Sequence, residues 1–330
     1  MGFCISSELY SRMSLCFPSS FNCITNGSLS CCVSKHTKGK KNPSPVKLPV
    51  DSNVSFLSNK SSKDRNFNGP VTSQGSGIGI LGGVSLDSTL NFAKKLVNFK
   101  LDEGENGLPF VLCSDPILSK ELLSLERGSF PIVNPAKPTS TRVDRSSVVE
   151  NLRCKRSFLE KSGVSCIVMP CHVLNSWYGE IAEGCSVPVL NMGVCVANEL
   201  KEAKLRPLEA GSPLRIGVLA TNIDMVTSFY QENLENEGFE VILPDKATME
   251  HAVIPAVEAL KRKDTEGAQN LFRIALQVLL VRAVNRVILA SDEFRGVLPL
   301  DDPLWQKCID PIDVLARSTA MYSQSAGRSK

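Results

Sequence analysis

The feature that most narrows the folds open to this chain is a short apolar run, Val164 to Met169, stopped by Pro170 and followed directly by Cys171-His172. A run of this length with β-branched residues reads as a buried parallel strand, because a strand covered on both faces needs apolar side chains throughout. The same grammar recurs at 77–83, 108–113, 187–192, 214–220, 239–243 and 286–290. Helical spacing fills the intervals, at 86–100, 117–125, 143–161, 173 onward, 194–205, 225–237, 251–263 and 266–283, with a terminal helix at 312–322. Strand and helix in alternation predict an α/β fold built on parallel sheets.

The pattern runs twice. Each half opens on an apolar strand containing Ile-Gly, GIGILGG and RIGVLAT, and later carries a β-branched strand tipped by polar residues, IVMPCH and VILASDE. This predicts two doubly wound, Rossmann-like parallel-sheet domains related by a pseudo-twofold axis, with a ligand cleft where their strand ends meet. The first half spans 77–207 and the second 208–323, joined by a Pro/Gly hinge at 206–213, with a tail at 324–330. Part of the terminal helix, 311–323, is expected to pack on the first half.

Residues 1–70 stand apart as a leader. Up to residue 65 it holds nine Lys/Arg against three acids, so the chain's overall charge of +3 conceals a body of −3. A weakly acidic body gives no reason to expect a nucleic-acid partner. No apolar run approaches the roughly 20 residues that span a bilayer, so no membrane segment is expected. The Ser-rich, acid-poor leader reads as an organelle transit peptide, with chloroplast ahead of mitochondrion because Ser dominates and Arg is scarce early on. A disordered tail is the plainer alternative, and Gly2-Phe3-Cys4 with Ser6 only superficially resembles an acylation start.

Of twelve cysteines, the seven beyond the leader form no CxxC pair, which argues for reduced thiols and against a metal site. Gly77-x-Gly79-x-x-Gly82 fits the dinucleotide pattern, but its glycines lie within the apolar run instead of after it, so no cofactor is expected. Cys166, inside the strand, reads as a small core hydrophobe. Cys171 reads either that way or as a reactive thiol, since it follows the strand-ending Pro and precedes a helix whose positive end favours thiolate. The charged run from Glu258 to Lys263 reads as a solvated helix face, and His172 draws interest mainly because it abuts that thiol.

Over about residues 77–323 the chain resembles the aspartate/glutamate racemase superfamily. The likeness rests on IGILGG, LEKSGVSCIVMPC, VPVLNM, RIGVLAT, FYQENLENEGFEVILPD and RVILASDE followed by LPLDDP. It implies cofactor-independent isomerisation, without pyridoxal phosphate, at the carbon beside a carboxylate, a small carboxylate or amino-acid substrate, and a homodimer. An α-proton is so weakly acidic that such chemistry needs a base on one face and an acid on the other. By this resemblance Cys171 matches the first family cysteine, with His172 in place of the usual Asn. Ser291 stands where the second cysteine belongs, Glu293 matches the family acid, and Gly82, Gly83, Thr221, Asp224, Lys261 and Asp292 fall at substrate-binding positions.

The departures shape the functional expectation. A serine hydroxyl carries protons poorly at neutral pH unless a base activates it. Asp224 brings negative charge toward the expected substrate carboxylate, and the Arg expected after Asp115-Pro116 is absent, with Lys120-Glu121 there instead. Three readings follow. The first is an amino-acid racemase or isomerase using Cys171 with Ser291, His172, Asp292 or Glu293 opposite. The second is a single-thiol, decarboxylase-like carboxylate enzyme, and the third an inactive racemase-derived binding protein.

Overall fold

The computed structural model describes residues 77–99, 108–128, 144–221 and 223–328; the side chains of 127, 128, 223–225, 327 and 328 fall outside that description. The leader and the segment at 129–143 lie outside it as well.

The first half runs β1 (Gly77–Leu81), α1 (Leu86–Asn98), β2 (Phe110–Cys113), α2 (Pro116–Gly128), α3 (Arg145–Lys161), β3 (Val164–Val168), α4 (His172–Ser176), α5 (Tyr178–Ala182), β4 (Val189–Leu190) and α6 (Met192–Glu202). The second runs β5 (Leu214–Leu219), α7 (Ile223–Glu235), β6 (Phe239–Ile242) and α8 (Lys246–Thr248), then passes through a π turn at Met249–Val253 into α9 (Ile254–Lys261). It closes with α10 (Thr265–Leu280), β7 (Arg286–Leu289), β8 (Cys308–Ile309) and α11 (Pro311–Arg328).

Both sheets are parallel and share one strand order, β2-β1-β3-β4 and β6-β5-β7-β8. Each first strand is central, so its carboxyl end and that of the third strand stand side by side. That is the position at which doubly wound sheets bind ligands. The helix starts follow from local chemistry: Ser85 and Asn191 cap α1 and α6 by accepting the N–H groups of Ser88 and Val194.

Alternation along the strands sorts side chains between layers. Ile78 and Ile80 of β1, Cys166 and Val168 of β3, Ile216 and Val218 of β5 and Ile288 of β7 all enter one shared core. Phe92 and Leu96 of α1, Val196 of α6, Tyr230 of α7 and Leu315 of α11 fill it. The opposite faces are covered separately, by α2 and α3 in the first half and by α9 and α10 in the second.

The terminal helix α11 rests on helices of the first half. Arg317 reaches Glu199 of α6 with nitrogen–oxygen distances of 2.6 and 2.7 Å, and Lys95 of α1 pairs with Asp313. These pairs are partly exposed, so the apolar face of α11, with Ile312, Leu315 and Ala320 fully buried, supplies most of the attachment.

Sequence reading located the helices well and overextended most strands by one or two residues and β4 by four. It missed α5, α8 and β8, which are too short to show periodicity. No helix among the described residues is long and apolar enough to cross a membrane. Among those residues no cluster of His, Cys, Asp and Glu is placed to hold a metal ion.

Candidate active site

The site is assembled by turns at the carboxyl ends of β1, β3, β5 and β7. Past β3, Met169-Pro170 carries the chain to Cys171, which precedes α4 with extended backbone angles of φ −155° and ψ 124°. Past β7, Ala290 leads to Ser291, which precedes a 3₁₀ turn at Asp292–Phe294 with φ −148° and ψ 141°. The two residues therefore occupy equivalent places in the two halves, in nearly the same conformation.

Their surroundings match too. The turn after β1 sends the Val84 N–H to the Cys171 sulfur at 3.5 Å. The turn after β5 sends the Thr221 N–H to the Ser291 hydroxyl at 2.9 Å, and the two hydroxyls lie 2.6 Å apart. Each proton-bearing side chain thus receives a backbone donor from the first strand's turn in its own half.

The β1 turn is pressed tightly against the thiol. A Cβ at Gly83 would sit 2.4 Å from the Cys171 sulfur, and one at Gly82 would sit 2.8 Å from the Ser114 hydroxyl, so only glycine lets the backbone come this close. Ser119 of α2 holds the turn from the other side, donating to the Gly83 carbonyl at 2.7 Å.

The Cys171 turn is stapled by Asn175, which is 1% exposed. Its amide donates to the carbonyls of Met169 and Cys171 at 2.7 and 2.9 Å and accepts from the Met192 N–H at 3.1 Å. Asn175 escaped sequence reading, although a buried amide four residues past a turn is a recognisable back-bonding arrangement.

A cavity of about 610 Å³ opens beside these turns. Val84, Ser85 and Asp87 line it from the first half together with Leu123 and Glu126 of α2, and Asp292, Glu293 and Arg295 line it from the second. The first turn of α1, Leu86, Asp87 and Ser88, also lines this space. Asp292 Oδ1 is buried without a hydrogen-bond partner, with an Arg295 nitrogen 3.9 Å away. Arg295 is committed elsewhere: its guanidinium meets Asp310 at 3.0 and 3.4 Å.

Cys171 itself is only 2% exposed and does not line the cavity; Val84, which bonds it, does. The expectation that the α4 amino end favours thiolate is corrected here. Burial pushes the thiol pKa up to about 12, reinforced by the negative charge of Asp292, while the N–H bonds from Val84 and Leu174 act weakly in the other direction. A five-residue helix carries too small a dipole to offset that desolvation. In this arrangement burial favours the neutral thiol of Cys171 over the thiolate.

His172 is likewise buried, and burial lowers its pKa, keeping the ring neutral. Its Nδ1 lies 3.1 Å from the Tyr230 hydroxyl of α7, which donates on to the Met192 sulfur at 3.2 Å. His172 thus ties α4 to the second half. Gly83 packs on Cys171 and Thr221 bonds Ser291, each pair within its own half, while of the expected site residues Asp292 and Glu293 line the cavity and Gly82, Gly83, Thr221 and Ser291 do not. Lys261 is exposed at the last residue of α9 and is not part of the cavity wall, and the Asp224 side chain lies outside the described residues.

Comparison with known proteins agrees with this geometry. The profile of the Asp/Glu/hydantoin racemase family matches residues 81–319. A broad specificity amino-acid racemase, RacX of Bacillus subtilis, is 27% identical over 229 residues, covering 67% of this chain and 87% of the relative. Two solved structures share the fold. An aspartate racemase homologue from Pyrococcus horikoshii superposes with a TM-score of 0.59 at 19% identity, over 76% of this chain and 99% of the other. The Picrophilus torridus aspartate racemase gives 0.55 at 20%, over 75% and 94%. With the family profile spanning both sheets and every strand-end turn of the site, the chain belongs to the Asp/Glu/hydantoin racemase family.

Proposed function

We propose that this protein is an amino-acid isomerase that exchanges the α-proton of its substrate without a cofactor, with Cys171 on one face of the α-carbon and the Ser291–Asp292 strand end on the other. The observation that carries this reading is the equivalence of Cys171 and Ser291 at the tips of β3 and β7, in matching conformation and each with a backbone donor. Two-base chemistry needs proton carriers on opposite faces.

In this scheme Cys171, neutral, delivers a proton to the carbanionic α-carbon. On the other face Ser291, hydrogen-bonded to Thr221, relays the departing proton toward Asp292, whose buried Oδ1 is unpartnered. Substrate reaches the thiol when the Gly83–Val84 turn withdraws, since that turn stands between the sulfur and the cavity. The family resemblance brings with it a homodimer, checked by sedimentation. The basic leader supports plastid import, checked by fusing residues 1–70 to a fluorescent protein.

A second reading has its own support. A buried, neutral thiol is equipped to protonate a carbanion but poorly equipped to create one. That favours loss of CO₂ from a malonate-type acid, where a single donor suffices. One experiment separates the readings: L- and D-amino acids and a substituted malonate are incubated in deuterated water and followed by NMR. Inversion with α-deuterium, abolished by Cys171→Ser, supports the isomerase. CO₂ release without amino-acid exchange supports the single-donor enzyme, and no change in any compound sinks both.

A further inference from the structure

Cys171 is shut away from the cavity by a short piece of backbone, of which Val84 lines the cavity on the far side. The turn after β1 is fixed at its start, where the Gly82 N–H donates to the Cys113 carbonyl at 2.8 Å, and at its end, where Ser85 caps α1. Gly83 and Val84 lie between. Among the described residues two hydrogen bonds hold this pair: the Ser119 hydroxyl donates to the Gly83 carbonyl at 2.7 Å, and the Val84 N–H meets the Cys171 sulfur at 3.5 Å. The second is a long contact to a weak acceptor, so the first is the stronger tether.

Ser119 makes its bond from a firm base. It lies in the first turn of α2, where its own N–H donates to the Asp115 carbonyl at 2.9 Å and the Asp115 carboxylate accepts the Ile117 N–H at 2.9 Å. Leu118 and Leu122 are 1% and 0% exposed and seat the helix in the same core that covers Cys171. The helix is therefore the fixed part. The movable part is a glycine and one further residue between two anchored ends, since glycine reaches backbone angles closed to other residues. Leu123, a wall of the cavity, stands one helical turn beyond Ser119 on the same face of α2.

From this we infer that Ser119 is a positioning residue that latches the Gly83–Val84 turn over the thiol, and that Cys171 is reached by local release of this turn while both sheets stay intact. It rests on the isomerase reading only for the need of a small molecule to reach the sulfur, and is measured on the thiol itself, apart from turnover. Local release is far cheaper than unfolding, because the strands and α1 keep their bonds. A neutral hydrogen bond accounts for about 2- to 12-fold in an equilibrium, so loss of the Ser119 hydroxyl should raise the released population by that factor.

The test is alkylation of the full-length protein by iodoacetamide at pH 8 in a series of low urea concentrations, with Cys171 and Cys166 followed by peptide mapping. Cys166 is fully buried within β3 and reports unfolding of the sheet. Release of two residues exposes little surface and unfolding exposes much, so urea should accelerate Cys166 steeply and Cys171 hardly at all. Without urea Cys171 should react at least about tenfold faster than Cys166. Ser119→Ala should raise the Cys171 rate about 2- to 12-fold without steepening its urea dependence. Ser124→Ala, which removes an exposed hydroxyl bonded to the Lys120 carbonyl on the same helix, should leave the Cys171 rate as it is. Equal urea dependence at the two thiols, or a Cys171 rate untouched by Ser119→Ala, overturns the inference. A latch in a protein that exchanges no α-deuterium into amino acids keeps the inference and removes the isomerase reading; exchange with a Cys171 rate indifferent to Ser119→Ala does the reverse.

Discussion

The hydroxyls of Ser291 and Thr221 stand 2.6 Å apart, so the Ser291 hydroxyl is engaged by a neighbour that also lends its backbone N–H. A sulfur at position 291 would inherit that N–H, as Cys171 has the Val84 N–H. It would also replace a poor proton carrier by a good one. Ser291→Cys should therefore raise the rate of inversion relative to bare α-deuterium exchange by at least about tenfold. Chiral chromatography of the exchanged amino acid reads the ratio. An unchanged ratio would mean that position 291 does not face the α-carbon.

Gly83→Ala should be far more damaging than a methyl group suggests. Its Cβ would sit 2.3 Å from Cys171 Cβ and 2.4 Å from the sulfur, which no rotamer change relieves. Overpacking of this kind costs about 1–3 kcal/mol, and displacement of the turn should cut proton exchange at least about 100-fold. Gly179→Ala in α5 is the control: nothing lies within 4 Å of its Cβ, and the change should be neutral or stabilise by up to about 1 kcal/mol. Denaturant titration and exchange rates check both.

How much of this could be read from the chain depended on which force set each feature. The strand-and-helix order was legible because burial imposes periodicity on Ile78, Ile80, Cys166, Val168, Ile216 and Val218 alike. The equivalence of Cys171 and Ser291 was legible as well, because both follow apolar strands at matching points of a repeat. The protonation state of Cys171 was not. A local motif shows the helix that follows it but not the desolvation imposed by α2, α3 and the β1 turn. The Val84 N–H carries no side-chain signature.

Cys171 should also resist chemical modification. Its side chain is buried beneath the Gly83–Val84 turn, while Cys154 on α3 is exposed. With iodoacetamide at pH 8, peptide mapping should show Cys154 alkylated at least about 100-fold faster than Cys171. Asn175→Ala should narrow that gap. It removes three buried hydrogen bonds that pin the Cys171 turn to α6 and should destabilise the protein by about 2–4 kcal/mol. Equal rates for the two thiols in the unmodified chain would show that the turn is open in solution.

The His172–Tyr230 contact gives the protein a pH dependence with a definite sign. Burial holds the His172 ring neutral and its pKa below the ordinary 6.5. The unfolded chain therefore takes up a proton as pH falls below about 6.5 while the folded chain does not, and linkage requires stability to drop over that interval. Acid effects from carboxylates with lowered pKa, such as Asp115, Asp245 and Asp302, begin only nearer pH 4. Between pH 7 and 5 the thermal midpoint should thus decline, and His172→Gln, which keeps a polar partner for Tyr230 but cannot titrate, should flatten the decline whatever it does to the midpoint at pH 7. Because this hydrogen bond joins α4, which begins directly after Cys171, to α7 of the second half, the same interval should bring faster alkylation of Cys171 at pH 5.5 than thiol ionisation allows. A midpoint flat from pH 7 to 5 would show that the ring is hydrated and that the halves are not fastened there.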